Sequence, residues 1–203
     1  MTRLIAILAG VATLLLLGLT YFVTIGRTTP IDQCFGASVA GGAIGGPFTL
    51  VDGDGQTVTD ADVITEPTLV YFGYTFCPDV CPIDNARNAQ AVEILEEQGI
   101  SATPVFITID PERDTPEVMR DYVENFSPKM VGLTGSAEQI KAVAGEYRVV
   151  YSKADDEDPD YYLMNHSVFT YLMMPQTGFA TFFRREDTPQ QVADQVSCAV
   201  EGP

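Results

Sequence analysis

Phe76-Cys77-Pro78-Asp79-Val80-Cys81-Pro82 places two thiols four positions apart, directly after an apolar run and directly before a segment with helical spacing. A cysteine is a nucleophile or a soft-metal ligand as its thiolate. Pro82 in a helix interior would clash with the carbonyl four residues back, so the sequence predicts a helix that starts at Pro82 with Cys81 near its N-cap. Both sulfurs then face the positive end of the helix dipole, which favours thiolate over thiol. The strand-to-helix turn is expected to expose them. Cys-x-x-Cys is the usual dithiol redox spacing. The extra residue here gives a looser arc that suits a redox pair or a metal ion equally.

The other donors are few. His166 is the single histidine in 203 residues, which excludes sites built on two or three imidazoles, and no Cys-x-x-Cys-His run is present to attach a haem. With 11 Lys+Arg against 28 Asp+Glu, a net charge of -17, the chain cannot neutralise a run of phosphates, so nucleic acid is excluded as a partner. Met164, Met173 and Met174 carry thioethers, but on apolar strands they read as core packing. Asp79, between the thiols, and Asp110, before Pro111, either hydrogen-bond near the sulfurs or cap their loops.

The segments that position these groups follow from hydrophobic patterning. From Leu4 to Thr24 no residue is charged; 21 residues make about 31 Å of helix, enough to span a bilayer. Residues 1–27 are therefore expected to form an uncleaved, single-pass anchor with its amino terminus inside. The apolar run exceeds a signal-peptide core, and no small-residue cleavage site precedes Arg27. The Gly-rich stretch 28–46 reads as a flexible linker. Residues 28–203 keep nine Lys+Arg and all 28 Asp+Glu, a net charge of -19 on the exported part.

Within 47–203, Phe48–Val51 and Gln56–Thr59 predict a hairpin around Asp52-Gly-Asp-Gly55. Thr68–Gly73 and Pro104–Asp110 predict strands buried on both faces. Helices are expected over 82–98, 115–126 and 136–146, with a short strand at 130–133 between the last two. Late strands near 167–172 and 179–183 flank a turn at 175–178, and Thr188 with Gln191 caps a final helix. Asp155-Asp-Glu-Asp-Pro-Asp160 reads as an acidic surface loop and a candidate docking surface for a basic partner.

Alternating strands and helices demand parallel pairing with right-handed crossovers. The expected class is α/β: a thioredoxin-like fold with an N-terminal hairpin and a late antiparallel hairpin, preceded by one transmembrane helix. In that layout the loop entering the late strand packs beside the N-terminus of the first helix, so His166 approaches Cys77 and Cys81. Two thiolates and one imidazole form a soft, three-coordinate set suited to copper in either oxidation state and poor for calcium or magnesium.

Tyr71-Phe-Gly-Tyr-Thr-Phe-Cys-Pro-Asp-Val-Cys-Pro82, Asp110-Pro-Glu-Arg-Asp-Thr-Pro116, Gly132-Leu-Thr-Gly135 and His166-Ser167 resemble the motifs of the Sco/SenC family in order and spacing, over about residues 46–183. The resemblance implies a membrane-anchored thioredoxin-fold protein that delivers copper to the dinuclear site of cytochrome c oxidase, or reduces the cysteines of that site. It implies Cys77, Cys81 and His166 as ligands of one copper ion, Cu(I) or Cu(II), and the copper-site subunit of the oxidase as partner. It places the chain in an inner membrane with its domain on the periplasmic or intermembrane-space side. Asn165 stands where family members commonly carry Asp before the histidine, which should alter the imidazole's basicity, and Met173-Met174-Pro175 replaces an Asp-containing turn.

Cys34 and Cys198 lie outside these motifs, and an oxidising compartment would favour joining them in a structural disulfide. Three functions stay open: a copper metallochaperone, a thiol-disulfide reductase in which one thiolate attacks a partner disulfide and the other resolves it, and a redox or copper sensor using the same residues. His166 discriminates between the first two, because dithiol exchange needs no imidazole.

Overall fold

A computed structural model describes residues 2–25, 34–35, 44–154 and 161–202, with side chains of the first helix described over residues 10–21. That helix, α1, covers Thr2–Ile25. Over the described residues, which for the side chains of α1 are 10–21 alone, no helix is long and apolar enough to cross a membrane; the charge-free run Leu4–Thr24 extends beyond that window at both ends. Most of the expected linker and the whole acidic stretch 155–160 lie outside the described residues. The described parts of the linker are held: Cys34 is disulfide-bonded to Cys198, Phe35 packs against the core, and the Gly45 N–H donates to the Glu146 carbonyl at 2.9 Å.

The domain runs β1 (Thr49–Asp52), β2 (Thr57–Thr59), α2 (Asp60–Val63), β3 (Thr68–Gly73), α3 (Val80–Glu97), β4 (Thr103–Thr108), α4 (Pro116–Val123), β5 (Val131–Thr134), α5 (Ala137–Glu146), β6 (Tyr151–Lys153), β7 (Met164–His166), β8 (Thr170–Met174), β9 (Gly178–Phe183) and α6 (Pro189–Glu201). Seven strands form one sheet in the order β2-β1-β5-β4-β3-β8-β9. β3, β4 and β5 are parallel, and the terminal hairpins add antiparallel strands at each side. This is a mixed α/β, thioredoxin-like fold.

Every residue of β3 is buried, as its unbroken apolar run requires. One apolar cluster joins Leu69 and Leu172 to Ala91, Val92 and Leu95 of α3 and to Val192 and Val196 of α6. The other joins Phe72 and Phe106 to Met119 of α4 and Ile140 and Val143 of α5. The sheet is thereby covered by helices on both sides.

Three local expectations are corrected. First, α3 starts at Val80, two residues early, with Asp79 as its N-cap. Pro82 is then the third helical residue, whose N–H would have had no partner inside the helix, so the ring costs no hydrogen bond. Second, the helical spacing read over 82–98 does not translate into a purely apolar buried face of α3. Ile83 is exposed, while Asp84, Asn85, Arg87 and Asn88 are buried. Arg87 donates to Thr170 Oγ1 at 2.7 Å and to the Arg184 carbonyl at 2.6 Å, and Asn88 Nδ2 donates to the same Thr170 oxygen at 3.1 Å. A buried polar face is tolerated where such partners exist.

Third, the late strand does not start at Ser167. β7 pairs with β6 in a separate two-stranded sheet, with Tyr151 opposite His166, and β8 joins the main sheet only from Thr170. Ser167 is held to the β6 side, its N–H donating to the Val150 carbonyl at 3.0 Å and its Oγ accepting the Val150 N–H at 3.1 Å. His166 thus ends a short strand on its own small sheet.

Candidate metal centre

The site is assembled where β3 gives way to α3. The Thr75 N–H and hydroxyl both donate to the buried Asp114 carboxylate, at 3.1 and 2.5 Å, and Thr108 Oγ1 donates to it at 2.6 Å. Asp114, in the loop before α4, thereby fixes the start of the cysteine loop. The Cys77 N–H donates to the Tyr74 carbonyl at 3.2 Å, and the Cys81 N–H, in the first turn of α3, donates to Cys77 Sγ at 3.4 Å. Gly73 lets Cys81 sit close against the strand, since a Cβ there would lie 2.8 Å from Cys81 Sγ and 2.8 Å from the Phe106 ring.

His166 approaches from the second sheet. Its Nδ1 lies 2.9 Å from the Ser167 carbonyl oxygen, which can only accept, so Nδ1 carries the proton and Nε2 offers its lone pair. Nε2 is 3.5 Å from Cys81 Sγ. The rings of Tyr74 and Tyr71 meet the imidazole edge-on, at centroid distances of 6.0 and 6.2 Å. The three donor atoms of Cys77, Cys81 and His166 lie within 4.8 Å of one another. With metal–sulfur bonds near 2.3 Å and metal–nitrogen bonds near 2.0 Å, a trigonal site needs donors roughly 3.5–4 Å apart, so the set can close on one soft ion with small adjustments.

Burial overturns the expected exposure: Cys77 is 9 % exposed and Cys81 is fully buried. The hydrogen bond between the two sulfurs splits the pair electrostatically. The hydrogen bond with Cys81, reinforced by His166 and by the Asp79 and Cys81 N–H groups, outweighs burial and lowers the Cys77 thiol to about 3. The same Cys77 bond, with burial, raises Cys81 well above the ordinary thiol range. The helix terminus was expected to favour thiolate at both sulfurs; instead the metal-free pair shares one proton, held on Cys81.

Residues 37–201 match the family model described as SCO1/SenC. The chain belongs to the SCO1/SenC family. It is 48 % identical over 199 residues to Protein SenC of Rhodobacter capsulatus, covering 97 % of this chain and 90 % of that protein. Among solved structures, Arabidopsis thaliana ScoI with copper bound superposes with a TM-score of 0.74 at 42 % identity, covering 78 % of this chain and 99 % of that one. Bradyrhizobium japonicum ScoI with copper bound gives a TM-score of 0.70 at 39 % identity, covering 76 % of this chain and 98 % of that one.

The remaining candidates of this SCO1/SenC chain divide clearly. The Asp79 side chain is exposed and pairs with Arg185 at 3.6 Å, while its backbone N–H reaches the Cys77 sulfur. Asp110 is buried in its turn, accepting from the Tyr162 hydroxyl at 2.7 Å and from Arg113 Nε at 2.5 Å. Met164 and Met173 are buried in the main core and Met174 packs against the second cluster, so all three are packing residues. Asn165 is exposed; on a strand it faces away from the His166 side, so an acid there would not sit against the imidazole.

Sequence reasoning passed over Asp84, Asp114, Arg113 and Tyr162. Asp84 lies one turn beyond Cys81, buried and 3.3 Å from Arg87. Burial raises its carboxyl despite that guanidinium. The Asp110–Pro116 motif was the one signal that could have pointed to Asp114 and Arg113.

Proposed function

We propose that this SCO1/SenC chain is a membrane-anchored copper metallochaperone. The thiolates of Cys77 and Cys81 and the neutral imidazole of His166 take one copper ion, Cu(I) or Cu(II). The ion passes by ligand exchange to the dinuclear site in the copper-site subunit of cytochrome c oxidase. The observation that carries this reading is the imidazole lone pair 3.5 Å from a dithiol sulfur, with the ring proton committed to a carbonyl on the far side. Soft thiolates with one imidazole suit copper, and the two ScoI relatives at 42 and 39 % identity were solved with copper bound. Uptake requires Cys81 to lose its proton as the ion binds, so loading is coupled to proton release.

The anchor is part of the same proposal. Leu14, Leu15, Leu16 and Leu17 are consecutive and each 61–71 % exposed, so protein covers no face of α1 there. A helix in water keeps an apolar stripe covered, whereas one in lipid is apolar all round. The charge-free run Leu4–Thr24 is long enough to span an inner membrane, amino terminus inside, with the domain on the periplasmic or intermembrane-space side.

A second reading, thiol-disulfide reduction of the oxidase copper-site cysteines, is favoured by the thiolate character of Cys77 beside a protonated Cys81. A copper titration of the reduced, detergent-solubilised full chain, with His166→Ala and Cys77→Ser beside it, separates the two. The metallochaperone reading expects one copper per chain and at least about a tenfold loss of affinity in His166→Ala, since even outer partners of metal ligands are worth 10–100-fold. Undiminished affinity in His166→Ala, with a full disulfide-reduction rate, replaces it with the reductase reading.

A further inference from the structure

Arg113 touches both arms of the site, although it is neither a sulfur nor an imidazole. Its Nε donates to Asp110 Oδ2 at 2.5 Å and its Nη1 donates to the Tyr162 carbonyl at 2.9 Å. The guanidinium carbon lies 3.7 Å from the centroid of the Tyr162 ring, 4.9 Å from that of Phe76 and 5.8 Å from that of Tyr74. The Tyr162 hydroxyl closes the ring of contacts by donating to Asp110 Oδ1 at 2.7 Å.

These contacts reach the donor atoms along two short paths. Phe76 directly precedes Cys77, and Tyr74 accepts the Cys77 N–H while its ring meets the His166 ring edge-on. Tyr162 stands two residues before β7, the strand that ends in His166. Arg113 Nη2 is buried with no hydrogen-bond partner. A guanidinium kept only for an ion pair would satisfy its fork; this one leaves a donor unmet and stacks on rings from both arms.

We infer that Arg113 is a positioning residue whose planar fork clamps the Tyr162 and Phe76 segments together and so sets the separation between the His166 imidazole and the two sulfurs. The inference rests on the metal-site reading above. Lysine keeps the charge but cannot donate in a fork and lie flat on the rings at once, so Arg113→Lys is the informative variant. Lys153→Met is the control, because Lys153 sits 4.1 Å from the same Tyr162 ring and pairs with Glu112 at 2.8 Å.

Two measurements on the full chain test the clamp: nitrogen coupling in the paramagnetic resonance spectrum of the Cu(II)-loaded protein, and amide hydrogen exchange of the metal-free protein. The clamp predicts that Arg113→Lys still takes one copper through sulfur but loses the imidazole nitrogen coupling, with affinity down at least about tenfold. It also predicts faster exchange confined to residues 161–166, with α3 unchanged, and wild-type behaviour in Lys153→Met. Unchanged coupling and exchange, a uniform rise in exchange across the domain, or the same loss in Lys153→Met would each overturn the inference. A wild-type protein without nitrogen coupling sinks the metal-site reading instead, and the metal-free exchange then decides the clamp alone. If Arg113→Lys does not fold, Phe76→Leu at a half-exposed position removes the ring between Arg113 and Cys77. Lost coupling there supports the clamp, and an unaltered spectrum overturns it.

Discussion

The two cysteines have the same side chain and differ in what surrounds it. Cys77 receives the hydrogen bond of the Cys81 side chain, the reach of His166 and two N–H groups, and its thiol falls to about 3; Cys81, the donor of that bond and fully buried, is pushed up. Between about pH 3 and the ordinary thiol value near 8.5, the unfolded chain holds a proton at Cys77 that the folded chain has released. Metal-free stability therefore gains from Cys77 as pH rises through that window, by at most about 1.4 kcal/mol per pH unit, and loses the gain as pH falls towards 3. Above about 8.5 the sign reverses, because Cys81 keeps a proton that the unfolded chain gives up. Urea midpoints of the reduced protein at pH 5, 6, 7 and 8 should diverge steadily from those of Cys77→Ser, the wild type gaining; parallel curves would contradict the assignment. The spacing of the thiols and the solitary histidine were readable from the chain alone, because residue type decides donor chemistry. The split protonation was not, because it depends first on the hydrogen bond between the two sulfurs and then on Cys81 being buried against the strand.

Elements bring these residues within reach of one another, and Gly73 at the end of β3 sets how closely Cys81 can approach the strand. A methyl group at Gly73 would lie 2.8 Å from Cys81 Sγ, 2.8 Å from the Phe106 ring and 3.2 Å from Tyr71. Neither ring can retreat, since Tyr71 and Phe106 are both fully buried, so the first turn of α3 must move. Gly73→Ala is expected to cost about 1–3 kcal/mol through overpacking and to weaken copper binding by displacing one sulfur. Denaturant unfolding and copper titration of the same variant check both effects, and copper affinity equal to wild type would show that Cys81 had not moved. The strands were legible because Thr68–Gly73 and Pro104–Thr108 are apolar enough to demand cover on both faces. The start of α3 was not, because Pro82 marks the first turn without saying which of its residues comes first. Nor was its buried polar face, since Arg87 and Asn88 look solvent-facing until Thr170, over eighty residues later, supplies their partner. The small sheet that carries His166 was hidden for the same reason, being made by three-residue strands paired across the 155–160 stretch.

At the scale of the whole molecule, the chain closes on itself through Cys34 and Cys198, joined across 164 residues. This bond ties a point nine residues beyond the end of α1 to the last helix, and Phe35 beside it packs into the cluster of Leu69, Val92, Leu95 and Val192. That cluster contains none of the three donor residues. Stability and copper chemistry should therefore separate. In the chain-entropy account a loop this long is worth on the order of 5 kcal/mol, and native disulfides typically contribute about 2–4 kcal/mol. Cys198→Ser is expected to lose stability in that range while keeping one copper per chain and an unaltered copper spectrum. Denaturation midpoints give the first quantity; copper titration with the site thiols already reduced gives the second. An unchanged midpoint would make the bond dispensable for the fold. An altered spectrum would mean that the C-terminal helix reaches the metal centre through α3, against which it packs in the same apolar cluster.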